Sequence, residues 1–293
     1  MNYKERPEIT EKQKEIVDLV YRFRFINRKQ IQRILDHKDP KRINVWLKDL
    51  VEKGYLGRIY SHKLLENTKP AIYYLANNGI LWARFEKGEA YQADNEKLDF
   101  KLIKKFYEDK HASQTFIDHC ISLFDFYIQL KEKQKKSTNI EYQFATKTEL
   151  WITEKMDLYK EDDFEKIKEI IPDIYFEKLI NPDQEDNSSQ TYFLQLFDPG
   201  VPRYALRYKV DQYIKFNQSE GGKHRFSGLD RKFPILLLIF PNQQKLNQIG
   251  KYIKKQLDSS YDLEEITFLL TTLKQATEEG LGSDNIWTIV RKE

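Results

Sequence analysis

Lys41, Arg42, Asn44, Val45 and Lys48 are the residues of this chain whose types and spacing best suit chemistry on DNA. An arginine fork matches the two acceptors on the guanine edge, and an asparagine amide matches the donor and acceptor of adenine. A small apolar side chain can meet the thymine methyl. Lysines neutralise phosphates. For these groups to act together, one short helix must carry them on one side. The sequence supplies such a helix. Ile43, Trp46, Leu47, Leu50 and Val51 recur at helical spacing and mark a core-facing stripe. Asp39 can cap the first turn, Pro40 suits its first position, and Gly54 stops the run. The opposite face is then basic and amide-bearing, as a major-groove helix requires.

The flanking segments predict the elements that would hold this helix. Thr10 caps a first helix from Glu11 to Val20, with Ile16, Val17, Leu19 and Val20 apolar; Asn27 caps a second that runs to Leu35. Leu56–Tyr60 and Ala71–Leu75 are aromatic and branched, as strands are. The polar stretch from Ser61 to Pro70 between them reads as a wing. The predicted module is a winged helix-turn-helix over residues 1–88. In it Lys41, Arg42, Asn44 and Val45 meet base edges, while Lys29, Gln30, Lys48, Arg58, His62 and Lys63 meet phosphates or the minor groove. A merely solvated basic face, or a protein-docking module of the same shape, would carry the same pattern.

Charge distribution agrees with the first reading. The net charge of the 293 residues is only +3. Residues 1–90 hold 19 Lys/Arg against 12 Asp/Glu, and the remainder holds 30 against 34. The excess cations sit on the predicted DNA module. A single cysteine, Cys120, excludes an internal disulfide framework and any multi-cysteine metal site. The longest apolar run, Phe233–Phe240, is too short to span a bilayer, and the N-terminus is charged and polar. The expected protein is cytoplasmic, with no membrane partner.

Residues 89–97 are polar and aperiodic and are expected to be a linker to a second domain, 98–293. Two helices are expected there, Glu96–Lys110 and Ser113–Lys136. Strands are expected over Ile140–Thr148, from Pro172 to Phe176, and over Thr191–Phe197, Phe233–Phe240, Ile266–Thr271 and Ile286–Val290. Helices over Tyr204–Phe216 and Gln243–Leu257 alternate with them. This is an α/β (α+β) domain with a mixed sheet. His111 and His119 lie two helical turns apart with no acid to complete a metal set. Asp198–Arg203 reads as a plain turn, since it lacks the glycine spacing of a nucleotide loop.

The order of these pieces resembles the replication-relaxation family of plasmids and integrative elements. The pieces are the paired helices and strands before residue 77, His111 before a long helix, Ile171-Pro172-Asp173-Ile174-Tyr175-Phe176, Tyr192-Phe193-Leu194-Gln195, Tyr204–Tyr213 with Lys209, Phe233-Pro234-Ile235-Leu236, and Gly280–Trp287. The resemblance implies a restriction-endonuclease-like core of the PD-(D/E)xK type behind the winged helix. In that core an acid after a proline and a second acid on the next strand hold a hard divalent cation, and a nearby lysine assists the attacking water. Asp173 matches the first acid. Gln195 stands where the second is expected and Phe197 where the lysine is, so the core is expected to be degenerate, with Lys209 the remaining cation near it. Asp198, Glu141 and Glu149 are the spare carboxylates.

The expected function is therefore sequence-recognising binding of double-stranded DNA in replication control or mobilisation of a plasmid or conjugative element. A homodimer on a two-fold site and no cofactor are expected. One alternative is a Mg²⁺-dependent nuclease. The other is an accessory factor that docks a relaxase or replication initiator.

Overall fold

The computed structural model describes residues 6–60, 68–88, 103–137, 139–150, 170–182, 188–219, 233–260, 263 and 265–292. Two compact units divide the chain. One comprises Met1–Ile128 with Trp151–Thr153, the other Gln129–Leu150 with Glu154–Glu293. The division falls later than the expected linker 89–97, which lies outside the described residues.

In the first unit, α1 (Glu11–Phe23) opens with a capping box between Thr10 and Gln13, and β1 (Ile26–Asn27) follows. A second capping box, between Asn27 and Gln30, opens α2 (Arg28–Ile34). Asp39 Oδ1 accepts from the Lys41 amide at 2.8 Å and starts α3 (Pro40–Glu52). Gly54 sits at φ +69°, where a side chain would be strained, and turns the chain into β2 (Leu56–Ile59). β3 (Ile72–Leu75) lies between β1 and β2 in an antiparallel sheet, and α4 (Asn77–Gly88) follows. Ile16, Val17, Val20, Ile31, Ile43, Leu47 and Leu50 are buried in the core, so Ile43, Leu47 and Leu50 of the stripe form the packed face of α3, while Trp46 and Val51 are only half-buried.

The same unit includes residues beyond 103 that the sequence assigned to the second domain. A helical segment at 103–108 runs into a 3₁₀ turn at Asp109–His111, and α5 (Gln114–Lys136) begins. The Phe23 ring packs 4.7 Å from Phe124 and 5.0 Å from Tyr127. Arg24 pairs with buried Asp109 and donates to the Lys105 carbonyl at 3.0 Å.

The second unit is built on a six-stranded sheet in simple chain order from β4 to β9. β4 (Ile140–Thr146), β5 (Ile174–Ile180) and β6 (Ser188–Leu196) are antiparallel neighbours. A one-turn helix, α6 (Lys147–Leu150), follows β4 where the sequence suggested the strand would continue. β6, β7 (Ile235–Phe240) and β8 (Thr267–Thr272) are parallel, and β9 (Thr288–Arg291) closes the sheet antiparallel to β8. The parallel pairs are joined through α7 (Arg203–Gln218) and α8 (Gln243–Ser259). Right-handed crossovers in the same direction place both helices on one face of the sheet. Leu206, Val210 and Tyr213 of α7 and Leu246, Ile249 and Ile253 of α8 share one core with Phe193, Leu238 and Phe268 of the strands. On the closing side, α9 (Leu273–Glu278) is fixed by Gln129, whose amide donates to the Ala276 carbonyl at 3.3 Å.

Candidate nucleic-acid interface and the Asp173 cluster

The burial of Ile43, Leu47 and Leu50 leaves Lys41, Arg42, Asn44, Val45 and Lys48 exposed on the other side of α3. Val45 is 61% exposed, a high value for an apolar side chain on a well-packed helix. The Arg42 guanidinium lies 5.8 Å from the Trp46 ring centroid, and the His37 ring meets that indole edge-on at 5.2 Å. These contacts hold Arg42 along the helix at little cost in exposure.

Beside this face lies a cavity of about 770 Å³ between the start of α2, the second half of α3 and the ends of β2 and β3. Arg28, Lys29, Lys48, Arg58 and Lys69 line it, and Glu52, the one carboxylate among the described lining residues, lies 3.6 Å from Lys48. Asn44, Thr68, Tyr60 and Tyr73 add further polar and aromatic lining. The Arg58 guanidinium sits 5.1 Å from the Tyr60 ring centroid. Burial pushes the Tyr73 phenol up, while Arg58 and Arg28 beside it pull it down, so two of the cations act on one point in the cavity. A concave, positive surface against an exposed helix can hold a phosphate backbone while the helix meets base edges.

Of the residues singled out from sequence, Lys29, Asn44, Lys48 and Arg58 line this cavity together. Lys41, Arg42 and Val45 are exposed on the same helix outside the lining. Arg28 and Lys69 were missed. Arg28 follows a helix cap and Lys69 precedes Pro70, positions that carry no periodicity. Gln30, expected at a phosphate, is turned inward instead. It is 4% exposed, and its amide donates to the Ile121 carbonyl at 2.9 Å and to Asp125 Oδ1 at 2.8 Å. A side chain committed to two internal acceptors cannot reach a phosphate. His62 and Lys63 lie outside the described residues.

In the second unit, Asp173 and Gln195 do meet. Asp173 is 3% exposed at the entry to β5. Its Oδ2 accepts from Gln195 Nε2 at 2.6 Å and from the Leu196 amide at 2.9 Å, while Lys147 Nζ lies 3.5 Å from Oδ1. Gln195 Oε1 in turn accepts from the Tyr213 hydroxyl at 3.3 Å. Burial, with the Asp173 charge adding to it, raises the Tyr213 phenol well above its ordinary range, so it stays a donor. Lys147 is the residue that sequence reasoning missed; only the β4–β5 register, which pairs Thr146 with Ile174, brings it here. Lys209 turns elsewhere, donating to the Ile171 carbonyl at 3.1 Å and lying 5.1 Å from the Tyr213 ring centroid. Glu149 accepts from the Thr146 amide at 2.8 Å.

This donor set does not fit a divalent cation. A hard metal needs several oxygen ligands converging on one point. Here both Asp173 oxygens face N–H donors, and Gln195 turns its amide nitrogen, not its oxygen, toward the aspartate. Among the described residues no three His, Cys, Asp or Glu side chains gather to hold a metal. What the cluster does is tie the start of β5 to β6 through a buried, hydrogen-bonded charge.

The fold is thus a mixed α/β protein of two units, one presenting a cation-lined cavity beside an exposed helix. Residues 17–229, most of the chain, match the family model described as replication-relaxation, and the chain belongs to that family. Membership points to a role in the replication or mobilisation of a plasmid or integrated element. No curated protein and no solved structure matches the chain. Among the described residues no helix is long and apolar enough to cross a membrane.

Proposed function

We propose that the first unit is a winged helix-turn-helix that reads duplex DNA, and that the protein acts as a sequence-recognising factor in replication control or mobilisation of its element. The observation that carries this reading is the exposed Lys41–Arg42–Asn44–Val45 face of α3 beside a cavity lined, among the described residues, by five cations. Arg42 and Asn44 read purine edges, Val45 meets a thymine methyl, and Lys29, Lys48, Arg58 and Lys69 grip phosphates. One module of this size binds modestly, so two copies on a two-fold site are the expected assembly. The second unit, with its mixed six-stranded sheet and Asp173 held by donors, serves as a non-catalytic platform. There the element's relaxase or initiator would dock.

Selection from a random duplex library by the full chain tests the proposal. A palindromic or repeated motif should emerge. Arg42→Ala and Asn44→Ala should each cost about 1–3 kcal/mol on that motif and relax preference at one base pair. Failure to enrich any motif, or enrichment indifferent to both substitutions, would reject α3 as the reading helix.

A further inference from the structure

The residues after 90 carry a net negative charge, yet the outer layer of the second unit does not share it. α7 holds four Lys/Arg and one Asp, and α8 four Lys and one Asp. The two helices are joined at a seam where the Tyr252 hydroxyl donates to Asp211 at 2.7 Å and the Arg207 guanidinium lies 4.8 Å from the Tyr252 ring centroid. One of the two acids is thereby engaged inside the layer. The other, Asp258, sits 3.4 Å from Lys254. Arg203, Lys251 and Lys255 stand exposed beside this seam.

Among these cations α7 projects two tyrosines into solvent. Tyr204 is 75% exposed and Tyr208 55%. They are four residues apart on one face, about 6 Å along the helix axis. Stacked bases of a duplex strand advance only about 3.4 Å each. The tyrosines therefore match bases that have been separated from one another, not bases within a helix. Exposed rings at that step, flanked by cations for the backbone, are the two components of a single-strand platform.

We propose that the outer face of the α7–α8 layer binds single-stranded DNA without sequence preference, stacking successive bases on Tyr204 and Tyr208. This face belongs to the other unit from α3, and the proposal does not depend on the reading given to α3. It fits a protein that works where a duplex is opened.

Fluorescence anisotropy of the full chain with a labelled oligothymidine, and with a duplex of unrelated sequence, tests it. Oligothymidine should bind, and its binding, unlike that of the unrelated duplex, should depend on the two rings. A base stacked on an aromatic ring contributes about five- to 150-fold in affinity. The double variant Tyr204→Ala/Tyr208→Ala should therefore weaken oligothymidine binding by about thirtyfold or more. Tyr204→Phe/Tyr208→Phe should keep it, because the rings remain. Lys251→Glu/Lys255→Glu should weaken it and flatten its salt dependence. Unchanged oligothymidine binding by the alanine pair would overturn the proposal, as would an equal loss of unrelated-duplex binding in that variant. A face that ignores oligothymidine but captures an acidic protein would overturn it too.

Discussion

Replacing Gln195 by Glu would restore the acid that a metal-dependent core expects, and its consequences can be worked from the cluster. Gln195 Nε2 lies 2.6 Å from Asp173 Oδ2. A carboxylate oxygen there would face another at that distance, a repulsion of about 6 kcal/mol at an effective dielectric constant near 20. Protonating one of the two acids is cheaper. Taking a glutamate from its ordinary pKa of about 4.3 to a protonated state at pH 7.5 costs about 4 kcal/mol. The pair therefore takes up a proton and the variant loses about 4 kcal/mol at pH 7.5, a large share of a domain's stability. The folded-state pKa of the new acid is raised, so the variant is destabilised progressively as pH rises and recovers as pH falls. At pH 5 the loss shrinks to about 1 kcal/mol. Urea denaturation of both proteins at pH 5 and pH 7.5, with and without Mn²⁺, measures this. The wild type should gain nothing from the metal. A variant as stable as the wild type at pH 7.5 would show that Gln195 does not donate to Asp173. Saturable stabilisation of the wild type by Mn²⁺ would refute the claim that the donor set excludes a cation.

Asp109 offers a second pH test. Burial is the main cause that raises its carboxyl to about 6, against the opposing pull of Arg24. A raised folded-state pKa means stability is lost as pH climbs from about 4 through 6. Asp109→Asn should therefore gain about 3 kcal/mol on the wild type across that window, read by parallel denaturation curves. On the DNA side, Arg58→Ala and Lys69→Ala should weaken selected and unselected duplexes alike. Each should lower the slope of log K against log salt by about 0.9, measured by anisotropy from low to moderate salt. A supercoiled plasmid incubated with Mg²⁺ or Mn²⁺ should stay intact, and nicking that Asp173→Ala abolishes would restore the nuclease reading.

The helices and strands that hold the candidate sites were largely legible because periodicity and capping chemistry are local. Asp39, Pro40 and the Ile43–Leu50 stripe announce α3, and the run from Ile235 to Phe240 announces a strand buried on both faces. What escaped was set by distant partners. Gln30 looks like any polar helix residue, but it is buried because α5, some ninety residues on, offers a carbonyl and a carboxylate to its amide. β1 has two residues, too few to show a period. Lys147 reaches Asp173 only through strand register. The cations of α7 and α8 disappeared into an average over two hundred residues, and only the crossover topology gathers them on one side.

The contacts of α5 also bear on how this protein can be cut or recombined. A fragment ending at residue 88 would contain every residue named on α3 and its cavity, yet it would not be the native module. Phe23 would lose the Phe124 and Tyr127 rings, and Gln30 would lose the two acceptors that allow it to be buried. A fragment ending at Ile128 would keep those partners but sever a helix that continues to Lys136. The unit that carries α3 is thus not a cassette that could be passed intact to another protein. Under the proposed function, a change of DNA preference would have to come from substitution on the exposed face of α3, in place.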